Sequence, residues 1–423
     1  MTKILAALAK LLLLLLALLL IFTALYYAFC TYKLKTMTDT GIPRLDVYTE
    51  GGAKIKSKEE YVNCTVSLSG ADEFDFDSLT AGIRGRGNNS WEYYPKKPYR
   101  IKFDEKTSVF GESKNKSWVL LAMYNDFSFI KDRLAFTMAD SLETDAFVPS
   151  YNYVELYLNG KYNGLYLMTD QVDENKGRTS VKEDFDADAT EIPFLVELDA
   201  YAEAEGPEDE AYFRIGEALY TVKYPEVDER YSDAQFEYIK NYVTEFDALC
   251  HKKGVTLAEL SEYIDIDSFI DFYLVQEAMG QMEINWKSVY MSRAVGEKMK
   301  MGPVWDFDWS VTGPHVWHTA KDVKKQSCSG LRSNGNWFDA LLKNSPEFRL
   351  AVEERWASAR GKLLESIDKV ESEWINIEQA AKKDWYRWHV LDVYASPKSS
   401  HAEVIEWCRG RIAWLDTEFN YKG

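Results

Sequence analysis

The sequence predicts an α+β protein with a β-rich amino-terminal half, a mainly helical carboxy-terminal half and one transmembrane helix ahead of both. Three observations carry that expectation. Residues Leu11 to Phe29 form an uncharged apolar run of 19, long enough to cross a bilayer as a helix. Between Arg44 and Leu198 apolar residues recur at alternate positions in short runs, the period of half-buried strands. From Ser232 onward they recur every third or fourth position, the period of amphipathic helices.

The apolar run is preceded by Lys3 and Lys10 and followed by Lys33 and Lys35. A cleaved signal peptide is the rival reading, but its apolar region is about 7–15 residues long and ends on small side chains. Tyr26, Tyr27 and Phe29 occupy the exit, which favours an uncleaved single-pass anchor. Basic residues, Arg44 included, stand on both sides, so charge alone does not orient it. The expected arrangement puts the domain that follows outside the cytoplasm, with the orientation left open.

Strands are expected at 45–48 and 61–68, separated by the turn residues Gly51-Gly52. Others follow at 99–103, 118–121 and 153–158, with a helix near 129–142 between the last two. Asn159-Gly160 stands between two alternating runs and predicts a two-residue hairpin, because a type I′ turn needs positive φ at both positions. A strand at 194–198 lies between the acidic stretches 181–191 and 203–210, which read as solvated loops. In the helical half, Phe236, Ile239, Tyr242 and Val243 share one face behind the candidate caps Ser232 and Asp233. Phe269 to Met279 forms a second helix ending at Gly280, and 337–421 is helix-rich.

Of the 423 residues, 46% are apolar and 14% aromatic, enough for a sizeable core. The net charge of −18 argues against a nucleic-acid partner, since phosphate backbones demand a basic footprint. Five scattered cysteines without a CxxC pair suggest neither a zinc site nor a disulfide framework. Of the five histidines only His315 and His318 are close together, a spacing that does not suit a zinc hydrolase; GxxxxGK[ST] and GxSxG are both absent.

The positive signals concern phosphate, cation and carboxylate. Arg84-Gly85-Arg86-Gly87-Asn88 combines glycines, which let backbone amides approach an anion, with forked guanidinium donors. Alone it is a weak signal, since a glycine-rich turn with solvated arginines is the commoner case. Downstream, Arg100 and Lys102 fall on one strand face while Tyr99, Ile101 and Phe103 take the other. Glu283, Asn285, Lys287 and Ser288 lie on the segment leaving the second helix, where catalytic groups are commonly placed. After an expected β-hairpin comes Trp305-Asp306-Phe307-Asp308-Trp309, closed by Gly313. Aspartates flanked by large aromatics are costly to bury without a positive partner, and hard cations such as Mg²⁺ prefer such oxygen ligands.

These stretches, with Leu156-Tyr157-Leu158-Asn159-Gly160 and Pro303-Val304 ahead of the aspartates, resemble in the same order the motifs of the CotH family of spore-coat-type protein kinases. The resemblance covers roughly 80–360. It implies an atypical protein-kinase-like fold of two lobes and Mg²⁺-dependent transfer of phosphate from ATP to serine or threonine of a protein substrate. Asp306 resembles the family's metal-binding aspartate, and Glu283 stands where relatives often carry a catalytic aspartate. Chemistry and position add Asp308 and Asn285 to the metal set, and Arg84, Arg86, Asn88, Arg100, Lys102 and Lys287 to the cofactor-binding set.

The corresponding division is an anchor at 1–35, a small β-subdomain at 36–75, a β-rich lobe at 76–230, and a helical lobe carrying catalytic loop and metal site at 231–423. Two rival functions share these residues. One is a non-catalytic binding or structural protein on the same fold; the other is a metal-dependent phosphohydrolase that directs the carboxylates at water.

Overall fold

In the computed structural model the described residues are 2–144, 146–182, 185–186, 188–205, 211–226, 232–311, 327–389 and 395–423. Gly313, His315 and His318 lie outside them. The apolar run forms α1 (Thr2–Thr36), a helix long and apolar enough to cross a membrane; a signal sequence meets the same criterion. Its last turns rest on the protein: Cys30 is buried and Phe29 meets Tyr386 edge to face.

Seven strands then close a barrel in the order β1-β2-β3-β4-β5-β7-β6. They are β1 (Arg44–Thr49), β2 (Val62–Ser69), β3 (Phe76–Gly85), β4 (Tyr99–Thr107), β5 (Asn115–Leu121), β6 (Asn152–Leu158) and β7 (Lys161–Asp170). Neighbours pair antiparallel except β1 with β6, which run parallel and shut the ring. Alternation does what the period of 2 demands: Val47, Val66, Ile83, Ile101, Phe103, Trp118, Leu156 and Tyr166 fill the interior. The Asn159-Gly160 turn has φ of 49° and 73°, as a type I′ hairpin requires. The expected separation of 36–75 from 76–230 does not hold, because β1 and β2 are staves of this barrel. Without them the barrel could not bury its core or close its edge.

Helix α2 (Lys131–Ser141) leaves the barrel between β5 and β6. A second sheet has the order β12-β11-β8-β10-β9. It is built from β8 (Phe194–Asp199), β9 (Tyr212–Ile215), β10 (Ala218–Tyr224), β11 (Lys287–Arg293) and β12 (Lys300–Met301). The sequence reading missed the β9–β10 hairpin. The sheet also ignores the expected boundary at 230, since β11 pairs with β8 across it. Helices α3 (Asp233–Cys250), α4 (Ile266–Ala278), α5 (Trp337–Asn344), α6 (Pro346–Trp388) and α7 (Pro397–Glu418) complete the fold. Ser232, not Asp233, caps α3, in a reciprocal capping box with Gln235.

The helices, the second sheet and α2 share one core that includes Phe136, Phe194, Phe246, Tyr273, Trp305 and Trp356. All five cysteines are free thiols.

Candidate functional site

Helix α4 stops at Ala278, and Gly280 turns the chain at φ 56° with the Trp407 indole in the space a side chain would need. The chain next makes a tight turn in which the Glu283 carbonyl accepts both the Trp286 and Lys287 N–H. Glu283 is thereby buried at 1% exposure, with Lys287 one helical turn further on. The β11–β12 hairpin follows as expected and returns the chain to Trp305 and Asp306.

Asp306 adopts a left-handed conformation, φ 64° and ψ 55°, and leads into a single 3-10 turn, Phe307–Trp309. Ser288 (φ 57°) and Val311 (φ 58°) are also left-handed. For a β-branched valine that is a true outlier, and such strain gathers at functional sites. The turn is held on several sides. Gln281 Nε2 donates to the Asp306 carbonyl at 2.7 Å, and Ser288 Oγ to Asp306 Oδ2 at 3.0 Å. Asn125 Nδ2 donates to Asp308 Oδ2 at 2.8 Å, Lys131 Nζ to the Asp308 carbonyl at 2.9 Å, and the Phe307 N–H to Asp132 Oδ1 at 2.9 Å.

One oxygen each from Glu283, Asp306 and Asp308 lies within 4.8 Å of the others. Lys287 Nζ stands 2.8 Å from Glu283 Oε1 and 3.8 Å from Asp306 Oδ2. The closer ion pair engages Glu283 Oε1, while Glu283 Oε2 and Asn285 Oδ1 are buried without a hydrogen-bond partner among the described residues. Burial and then the Asp306 charge push the Glu283 carboxyl up to about 8, against the pull of Lys287. The same two causes raise Asp308 to about 7. Burial works to lower the Lys287 ammonium, but Asp306 and Glu283 outweigh it and hold its pKa above the ordinary value. Behind the turn, burial raises Asp132 to about 8 despite its bond from Phe307.

Arg86 reaches this cluster from the barrel, its guanidinium 5.7 Å from the Trp305 ring. Burial lowers its pKa, and Asp306 is the largest opposing influence. Arg84 and Arg100 are register partners on β3 and β4. Arg84 sits over the Tyr61 ring at 5.1 Å, and Arg100 donates to Ser117 Oγ at 2.9 Å. The Nε of each is buried without a partner, and among the described residues neither pairs with a carboxylate.

The remaining candidates are less well placed. Lys102 shares the Arg100 face but is exposed, and no contact among the described residues ties it to the acids. Asn88 is exposed and accepts from Lys58 Nζ. Asn285 donates to the Arg332 carbonyl at 2.8 Å. Two amides at the start of the 84–88 loop are already engaged by the protein. Gly85 N donates to the Ser57 carbonyl and Arg86 N to that of Pro98. Gly85 instead lets the Trp91 indole lie against the backbone, and Gly87 supplies φ 79°.

Asn125, Lys131, Asp132 and Gln281 were missed by the sequence reading. Asn125-Asp126 ahead of a helix is a cap signal, but nothing in it points to a partner 183 residues away.

The family model described as CotH kinase protein matches residues 83–415. That is well over half of the chain, and it extends past the expected limit near 360 to take in α6 and most of α7. No curated protein matches the chain.

Proposed function

The chain belongs to the CotH kinase family, and from that premise we propose that it is a membrane-anchored, Mg²⁺-dependent kinase transferring the ATP γ-phosphate to serine or threonine of a protein. The observation that carries this reading is a charge imbalance. Three carboxylates converge to within 4.8 Å beside one ammonium, Lys287, which meets Glu283 Oε1 and leaves Glu283 Oε2 without a hydrogen-bond partner among the described residues. Buried acceptors without donors call for a cation. The donor set is all oxygen, which fits a hard divalent ion that keeps several waters. Asp306 and Asp308 would hold it, with Asn285 Oδ1 as a further oxygen and Glu283 close enough to assist. Bound there, Mg²⁺ supplies positive charge against the phosphate oxygens.

The protein's own groups divide the rest of the work. Arg84 and Arg100 offer guanidinium forks that no carboxylate pairs among the described residues, and Arg86 lies near Asp306, which suits the three to phosphate beside a metal. Lys102 and Asn88 extend that wall toward solvent. Lys287 is placed to leave the acids for a phosphate oxygen. Glu283 orients the acceptor hydroxyl and is the candidate to take up its proton once a bound cation and Lys287 favour its charged form. Phosphoryl transfer asks mainly for positioning and charge stabilisation, and these residues are of that kind. The arginines come from the barrel and the acids from the helical half, as in a two-lobed kinase. In this reading α1 crosses the membrane and holds the domain outside the cytoplasm.

The test uses the full chain in detergent micelles, because α1 packs on α6 through Phe29 and Tyr386. With labelled ATP, Mg²⁺ and an acceptor protein, label is expected on protein. Release of free phosphate alone would identify a phosphohydrolase, and neither product a binding protein. Melting should rise with ATP only when Mg²⁺ is present, since a ligand that binds the folded state alone stabilises it.

A further inference from the structure

The metal-bearing turn is gripped by a segment that contributes no ligand to it. Between β5 and the first turn of α2, Asn125 bonds the Asp308 carboxylate, Lys131 the Asp308 carbonyl and Asp132 the Phe307 N–H. Lys131 is fully buried and Asp132 is 6% exposed. As a piece of helix this is poorly economical. A lysine in the first turn opposes the helix dipole, and two buried ionisable groups side by side cost more than apolar residues of equal volume. Asp126 offsets part of the expense by accepting the Lys131 N–H at 3.0 Å, which fixes the start of the helix. What the arrangement secures lies outside the helix. A left-handed aspartate persists only where its surroundings over-determine it, and the N–H that Asp132 accepts belongs to the residue directly after Asp306.

We propose that the 125–132 segment is the positioning element of the metal site, with Asp132 as the positioning residue that fixes Asp306 through the Phe307 N–H and Asn125 as the one that aims the Asp308 carboxylate. The inference rests on the metal reading of the preceding subsection and deepens it. Groups behind a ligand orient it, and their loss commonly weakens metal affinity about 10–100-fold. Movement of the start of α2 would therefore be felt directly at the metal site.

The experiment is calorimetric titration of the full chain in detergent with Mn²⁺ alone, for wild type, Asp132→Ala, Asp132→Asn and Asn125→Ala. Asp132→Ala should bind about 10–100-fold more weakly. Asp132→Asn keeps an oxygen for the Phe307 N–H and should stay within about threefold of wild type. Asn125→Ala removes one exchangeable contact, so it tests the role even if Asp132→Ala does not fold; a loss of about tenfold is expected. Wild-type affinity in the folded alanine variants overturns the positioning role alone. A wild-type chain that binds no Mn²⁺ overturns the metal reading beneath it. With ATP present, the variants should raise the Mg²⁺ concentration needed for half-maximal rate more than they lower the rate at saturating Mg²⁺; the reverse split also counts against the proposal.

Discussion

Two groups of buried charges in this molecule are handled in opposite ways. At the seam between α6 and the barrel, Lys96 and Asp384 are 0% and 1% exposed and meet at 2.6 Å. The Leu165 carbonyl accepts from the same ammonium, and the Leu165 N–H donates to the same carboxylate. Beside them Lys383 meets Glu155 at 2.7 Å and the Tyr157 hydroxyl at 3.1 Å. Every charge there has an opposite charge. In the 283–308 cluster three carboxylates share Lys287, and two of them titrate far above their ordinary range. Since burying charge is costly unless it is paired, the first arrangement closes its charges among protein groups, although Asp384 Oδ1 has no hydrogen-bond partner among the described residues, whereas the second gathers three carboxylates where a cation is proposed to bind.

The largest effect expected from this contrast is on activity. Asp306→Ala should lower label transfer on the order of 1,000-fold or more, about 4 kcal/mol of transition-state stabilisation, while the chain melts near its wild-type temperature. A residual rate within about tenfold of wild type would break the comparison at its functional end. At the seam the loss should fall on stability instead. Lys96→Met strands Asp384 in a closed interior and should cost ~3–5 kcal/mol, read from denaturant unfolding in detergent. A loss below about 1 kcal/mol would mean that the seam is not the fastening described.

A smaller effect has the opposite sign. Glu283→Gln removes a carboxylate from an acid-rich cluster, so at pH 9 without metal it should raise melting by ~1–2 °C, about 1 kcal/mol. Lower melting would show that Lys287 already balances the site.

Titration sharpens the same point. Glu283 and Asp308 start from ordinary values of 4.5 and 3.8 and are raised to about 8 and 7 in the folded chain. Between those limits the folded state binds more protons than the unfolded state. Their contribution to stability is therefore present at low pH and is lost as pH rises through about 7–8. Melting of the metal-free chain should fall over that window. The stabilisation given by a fixed Mg²⁺ concentration should grow over it, because metal and proton compete for the same oxygens. A pH-independent Mg²⁺ effect from 6 to 9 would separate the metal from these carboxylates.

Much of this was legible from local chemistry. The long apolar helix α1, the Asn159-Gly160 hairpin, the Ser232 cap, the end of α4 at Gly280 and the hairpin between Glu283 and Asp306 each depend on neighbours a few residues apart. The spacing of Asp306 and Asp308 between aromatics was enough to suggest a cation. In the glycine loop the Gly85 and Arg86 N–H groups are met by the Ser57 and Pro98 carbonyls, partners that no local pattern identifies. Assigning β1 and β2 to a separate subdomain failed for a related reason: pairing of β1 with β6 spans over a hundred residues, and ring closure leaves no mark on either strand's own alternation.

The chain by itself determined the periods, turns and caps, and which residue types could carry phosphate and metal chemistry, because these follow from backbone conformation and side-chain functional groups. Tertiary structure decided which of those residues meet. It drew Glu283 alongside the two aspartates, brought Arg86 from the barrel to Trp305, left Lys102 in solvent, and set Asn125 and Asp132 behind the turn. Burial and charge proximity depend on what the rest of the fold places around a side chain, and it is they that turn three ordinary acids into a site short of positive charge.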